Sequence, residues 1–418
     1  MPARRHGAPS VLIVNAYSAR NLGDGAIVQT MCRAFSERGA RVCVMSDDPG
    51  DADRYGVPVH PSLLPVWKPR LRGIPGAAAE AALATRQTIR RPPRLLDDFD
   101  VMVSAGGGYL YDDGSAGSRR NLLRRLHTLR TAQRSGRPVI AFSQSVGPFA
   151  SQTLGALTGR VLRRCAAVFV REQISLAECS ALGIRHAQLA DDIVFAASGR
   201  ADDPDVAALL SQFRVAPIGA TVIDWRFGGD ERWERKQTAY VEALRGSLSE
   251  AARRFDRPVA IISQVDAHAG DSDTRLAKGL AARLSRECDA RFLDVTELSY
   301  EQLIGFYARL HVLVASRMHS GIFALAGGTP VVAVAYLPKT AGIMARAGFE
   351  RFVTPIEQTN ADDLFRLLRG VEGERDELSR VLDKRLPVLR SSALRAVEES
   401  LELGRSLSRR TSSESRVG

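Results

Sequence analysis

No apolar run in the 418-residue chain approaches the roughly 20 residues of a membrane-spanning helix. The first residues, Met1-Pro2-Ala3-Arg4-Arg5-His6-Gly7, lead into a strand and not into the apolar region of a signal peptide. The expectation is a cytoplasmic protein. Cysteine is equally sparse: the five residues Cys32, Cys43, Cys165, Cys179 and Cys288 are odd in number, scattered, and form no C-x-x-C pair. They read as small core residues in a reducing compartment, which argues against a zinc site. No carboxylate cluster suited to a metal stands out, and no metal or cofactor is expected. Zinc-finger spacing, an aromatic-interleaved basic strand and a basic heptad are all missing, so nucleic acid is not an expected partner.

Positive charge is abundant. The formal net charge is +11 and the isoelectric point is near 9.8. Arginines crowd Lys68 to Arg94, where only Glu80 offsets them, and again Arg119 to Arg137. Such density reads either as a solvated helix face or as a peripheral contact with anionic phospholipid at the inner face of the plasma membrane. With 45% hydrophobic residues, the chain is long enough for two domains with substantial cores.

Short apolar runs alternate with helical periodicity, the pattern of parallel α/β folds. Val11-Leu12-Ile13-Val14 runs into Asn21-Leu22-Gly23-Asp24-Gly25 and a helix from about Ala26 to Arg38. The loop lacks the third glycine of G-x-G-x-x-G, so it is not the dinucleotide fingerprint. A long excursion follows at 61–95, rich in Pro, Arg and Ala, with one helix at about 76–90. Strand Val101–Ala105 then enters Gly106-Gly107-Gly108, and strand Pro138–Phe142 enters Ser143-Gln144-Ser145-Val146-Gly147-Pro148-Phe149. Strand Ala167–Val170 delivers Arg171-Glu172. The expected organisation is a flexible stretch at 1–9, a Rossmann-like domain at 10–197, a linker at 198–217, a second Rossmann-like domain at 218–404 and a disordered tail at 405–418. The two α/β domains would face each other across a cleft lined by loops at the carboxyl ends of both sheets.

The stretch that organises the chain is Val312-Leu313-Val314-Ala315 followed by Ser316-Arg317-Met318-His319-Ser320, then a helix from about Gly321 to Ala326 with Ser320 as N-cap. Gly327-Gly328 stops that helix, a second buried strand follows, and Lys339 lies just beyond Tyr336. Backbone N–H groups and the helix dipole favour an anion at such a strand-to-helix junction. Arg317 and Lys339 add cations and His319 a titratable ring, which makes this the candidate site for an anionic substrate.

Together, Asn21–Ile27, Gly106–Gly108, Ser143–Phe149, Val170-Arg171-Glu172 with Ser175, Asp191–Phe195, Ser316–His319 and Tyr336 with Lys339 resemble the polysaccharide pyruvyltransferase family. No single element is specific; their order from about residue 11 to 347 is. The resemblance implies a GT-B-like fold and transfer of the pyruvyl group of phosphoenolpyruvate to two sugar hydroxyls, forming a cyclic ketal and releasing phosphate. By resemblance Arg171, Arg317 and Lys339 hold phosphoenolpyruvate. His319, a ring suited to shuttle protons near neutral pH, is the candidate general acid/base, with Arg317 the second candidate catalytic residue, and Asp24, Gly107 and Gln144 are candidate acceptor or loop contacts. The sugar acceptor, lipid-linked, polymeric or small, and the oligomeric state stay open. Two other readings stand beside this one: a GT-B glycosyltransferase holding a nucleotide-sugar diphosphate with the same Arg/Lys pair, and a non-catalytic scaffold bound peripherally to membrane.

Overall fold

The computed structural model describes residues 8–64, 92–227, 230–268 and 271–414. Most of the Pro/Arg-rich excursion, including the helix expected at 76–90, lies outside the described residues. The chain divides into two compact units. The first comprises residues 1–19, 27–193 and 392–418, and the second residues 20–26 and 194–391.

In the first unit the strands are β1 (Ser10–Ala16), β2 (Arg41–Ser46), β3 (Val59–Pro61), β4 (Val101–Ser104), β5 (Gly107–Asp112), β6 (Val139–Phe149), β7 (Ala167–Val170) and β8 (Ala187–Leu189). They form one parallel sheet in the order β3-β2-β1-β4-β6-β7-β8, with β5 also paired to β6. β1, β4 and β7 are buried at every position, as parallel strands covered by helices on both faces must be. Leu12, Met102, Ala141 and Val168 from the sheet pack with Leu122, Leu126 and Leu129 of helix Ala116–Gln133.

The second unit carries β9 (Ile218–Thr221), β10 (Val259–Ser263), a hairpin of β11 (Asp266–His268) and β12 (Asp271–Ser272), β13 (Ala290–Asp294), β14 (Val312–Ala315), β15 (Val331–Ala335) and β16 (Val353–Pro355). Apart from the hairpin these pair in parallel as β13-β10-β9-β14-β15-β16. Counted within the unit this is the doubly wound order 3-2-1-4-5-6. Its topological switch point lies between β9 and β14, where successive crossovers leave on opposite sides and a crevice opens at the carboxyl ends of the strands. The chain therefore consists of two Rossmann-like α/β domains, the GT-B-like architecture expected.

Several boundaries differ from the sequence reading. Residues 392–404, expected in the C-terminal domain, belong to the first unit, where Ser392 Oγ accepts from Asp191 N at 3.2 Å. The tail expected to be disordered from 405 is helical to Glu414, because the 40-residue helix Arg375–Glu414 simply continues through it. The 198–217 linker contains its own helix, Pro204–Leu210, capped by Asp203. Gly107 and Gln144, read as loop residues, are paired strand residues of β5 and β6.

Four of the cysteines, Cys32, Cys43, Cys165 and Cys179, are buried as expected, while Cys288 is half-buried. Burial pushes the Cys32, Cys165 and Cys179 thiols up to about 12, far from the thiolate form that reacts.

Candidate active site

The switch point of the second sheet is held by one hydroxyl. Thr221 ends β9, and its Oγ1 accepts from Ser316 N at 3.1 Å and from Arg317 N at 3.4 Å. It also shares a 2.8 Å hydrogen bond with Ser320 Oγ, which is fully buried. With the turn after β14 fixed this way, the helix starts earlier than the sequence suggests. It spans Met318–Ala326, and Arg317, not Ser320, is the N-cap residue. Ser320 Oγ instead donates back to Arg317 O at 2.6 Å. His319 thus sits in the first helical turn, where N–H groups have no intrahelical acceptor.

Arg317 is gripped in turn. Its Nε and Nη2 donate to the two oxygens of Asp273 at 2.6 and 2.9 Å, a bidentate clamp that fixes the plane of the guanidinium. Asp273 is only 2% exposed, and its Oδ1 also accepts from Asp224 N at 3.2 Å. Sequence reasoning missed Asp273: it precedes helix Thr274–Leu284, and nothing in its spacing announces a partner 44 residues away.

His319 is fixed by close packing. Gly23, in the first turn of helix Leu22–Glu37, presents bare backbone to the imidazole. A Cβ added at Gly23 would lie 2.4 Å from His319 Nδ1 and 2.5 Å from its Cγ. Asn21 of the same segment bridges to Val265, anchoring it. On the other side the Phe323 ring lies 6.5 Å from the imidazole, centroid to centroid. The glycine of the Asn21–Ile27 element is therefore explained by contact with the histidine. Gly23→Ala is expected to displace the His319 ring and, with the ring misplaced, to lower turnover at least about tenfold. Steady-state kinetics on the folded variant check this.

Lys339 lies in the first turn of helix Pro338–Ala347, which follows β15, the strand beside β14. Its Nζ stands 5.9 Å from the centroid of the Tyr336 ring. Neither helix Met318–Ala326 nor helix Pro338–Ala347 has an acidic residue in its first turn. Each carries a cation where the helix dipole is already positive.

Arg171 is in the first unit and fully buried. Its Nη1 donates to Asp192 Oδ2 at 2.6 Å, and its Nε donates to Ser145 Oγ at 2.8 Å and lies 3.6 Å from Glu172 Oε2. Nη2 alone has no hydrogen-bond partner among the described residues. Gln144 is fully buried and donates to Tyr109 OH at 2.7 Å and to Ala105 O, tying β6 to the turn before β5. Tyr109 in turn bonds Ser104, which accepts from Asn15 Nδ2 at 3.0 Å. Gly107 is buried at the start of β5, so as placed it and Gln144 serve the sheet rather than a surface. Asp24 lies in the first turn of helix Leu22–Glu37, where its N is 3.4 Å from Asn21 Oδ1. Among the described residues, no group of three or more His, Cys, Asp or Glu converges in a way that could hold a metal ion.

The profile of the polysaccharide pyruvyl transferase family matches residues 21–338, more than half of the chain. The chain belongs to this family. The matched span includes Gly23, Arg171, Asp273, Arg317 and His319, and ends one residue before Lys339. Amylovoran biosynthesis protein AmsJ of Erwinia amylovora is 22% identical over 327 residues, which cover 77% of this chain and 74% of that protein. Among solved structures, Anabaena HepE in complex with UDP-glucose is similar with a TM-score of 0.57 and 14% identity, covering 96% of this chain and 99% of that one. UDP-GlcNAc 2-epimerase from Neisseria meningitidis has a TM-score of 0.59 at 12% identity, covering 94% and 100%. These likenesses extend to the fold. The family assignment makes the chain a transferase of polysaccharide biosynthesis, and the site built around Arg317 and His319 lies within the family's span.

Proposed function

We propose that the protein transfers the pyruvyl group of phosphoenolpyruvate to two hydroxyls of a sugar, giving a cyclic ketal and inorganic phosphate. The observation that carries this reading is the pair of cations, Arg317 and Lys339, at the N-terminal ends of two helices that follow adjacent strands. At each of these ends the cation, the first-turn N–H groups and the helix dipole together favour an anionic ligand. Phosphoenolpyruvate supplies two anionic groups, a phosphate and a carboxylate, and Arg317 is already oriented by Asp273.

The balance of the reaction defines what the histidine must do. The methylene carbon gains a proton and becomes a methyl group. Two C–O bonds form at the enol carbon, and the bond from that carbon to the phosphate oxygen breaks. Of the two protons leaving the hydroxyls, one is equivalent to that gained by the methyl group and the other departs with phosphate. His319, held against Gly23 and Phe323, is the general acid/base that moves them. The donor alone serves as activated substrate, and no further cofactor is invoked.

Titration calorimetry tests the reading. Phosphoenolpyruvate is expected to bind saturably, and Arg317→Lys to weaken it by about tenfold or more, because a lysine cannot keep the two-point clamp on Asp273 and still present a fixed donor to the ligand. Binding of a UDP- or GDP-sugar with no binding of phosphoenolpyruvate overturns the proposal in favour of glycosyl transfer.

A further inference from the structure

Beside the Arg317 turn, two aromatic rings meet where they are not needed for the core. Trp225 lies four residues beyond Thr221, the residue that ends β9, and Tyr336 directly follows β15. Their ring centroids are 4.9 Å apart at an interplanar angle of 54°, and both side chains are only half-buried. The segment bearing Trp225 is tied down by hydrogen bonds. Trp225 N donates to Gln237 Oε1 at 3.3 Å, and Gln237 Nε2 donates to Ile223 O at 2.9 Å. Asp273, the residue that clamps Arg317, also receives the backbone N–H of Asp224, so one carboxylate sets the position of both the guanidinium and the start of the aromatic segment.

A cation borders one ring, and a carboxylate adjoins the other in the chain. The Lys339 ammonium stands over the Tyr336 ring, and Asp224, next to Trp225, is exposed. A pyranose ring has the matching chemistry. Its axial C–H groups carry slight positive charge and suit the negative face of an aromatic ring, while its rim of hydroxyls both donates and accepts hydrogen bonds. An ionised carboxylate accepts from such hydroxyls and an ammonium donates to them.

We propose that Trp225 and Tyr336 form the platform on which the acceptor sugar stacks, with Asp224 and Lys339 at its hydroxyl rim. This rests on the reading of the protein as a sugar-modifying transferase. The platform places the acceptor beside the cations assigned to the donor, with Lys339 common to both. It also assigns selectivity for the acceptor to the segments after β9 and β15, while the donor is held by the turn after β14.

The chain has three tryptophans, and Trp67→Phe with Trp233→Phe leaves Trp225 as the sole reporter. The probes are the methyl glycosides of glucose, galactose, mannose and N-acetylglucosamine, titrated without donor while Trp225 emission is followed. At least one is expected to shift the emission saturably with roughly millimolar affinity. Tyr336→Ala should abolish the shift and Tyr336→Phe retain it, since the phenyl face is what stacks. Affinity for phosphoenolpyruvate should be unchanged in Tyr336→Phe. A folded reporter protein that responds to none of the glycosides, or a response that survives Tyr336→Ala, overturns the platform. A glycoside response in a protein that does not bind phosphoenolpyruvate leaves the platform standing and overturns the donor assignment instead, so the two failures are distinguishable.

Discussion

His319→Ala is expected to leave a folded protein whose turnover with phosphoenolpyruvate is at least about 100-fold lower, the smaller end of what a general acid/base contributes. The fold should survive. The ring packs on Gly23 and Phe323 in the first turn of its helix, and the hydrogen bonds that fix the turn belong to Thr221 and Ser320. Donor affinity should change much less than turnover, because the anion is held by Arg317 and Lys339 in this reading. Single-turnover kinetics, with calorimetry on the same preparation, separate the two quantities. Turnover within about tenfold of the parent would remove His319 from proton transfer.

The largest loss of stability is expected from Arg171→Ala. This guanidinium is fully buried between Asp192 and Glu172, whose side chains are 1% exposed. Its removal leaves two carboxylates without their cation in a low-dielectric interior. Breaking one partner of a buried ion pair costs about 3–5 kcal/mol, a large share of the stability of a typical domain. Chemical denaturation should therefore show a markedly lower midpoint. Combining Arg171→Ala with Asp192→Ala should cost less than the sum of the two single changes, by about 0.5–3 kcal/mol, because the pair interacts directly. Strict additivity would show that the pair contributes nothing as a pair.

Much of the architecture was legible because parallel strands buried on both faces leave short, uninterrupted apolar runs such as Val312–Ala315. The turn holding Arg317 and His319 could also be located, since it lies between two such runs. The hydrogen bonds that shape the turn could not. Thr221 reaches across 95 residues to Ser316, and Asp273 across 44 to Arg317, and neither separation has a periodic signature. The missed helix start has the same cause: Ser320 has the chemistry of an N-cap, but its hydroxyl is already committed to Thr221 and Arg317 O. Gly107 and Gln144 were misplaced because β6 runs on through polar residues to Phe149, where Gln144 Nε2 bonds Tyr109 and Ala105 and Ser145 bonds Glu172 inside the fold.

The path of the chain bears on its synthesis. Residues 20–26 leave the first unit for the second and return, and from Ser392 onward the chain belongs to the first unit again. Gly404 lies so near β4 that a Cβ there would come within 3.2 Å of Val101 Cβ, and Ser392 caps the N–H of Asp191. On the ribosome, the sheet of the first unit is complete once residue 189 has emerged, yet the part of the helix that packs on it, from Ser392 onward, is translated about 200 residues later. The nascent N-terminal half must therefore wait, with an apolar face uncovered, for about 200 further residues, which at typical synthesis rates of about 5–20 residues per second is an interval of roughly 10–40 seconds.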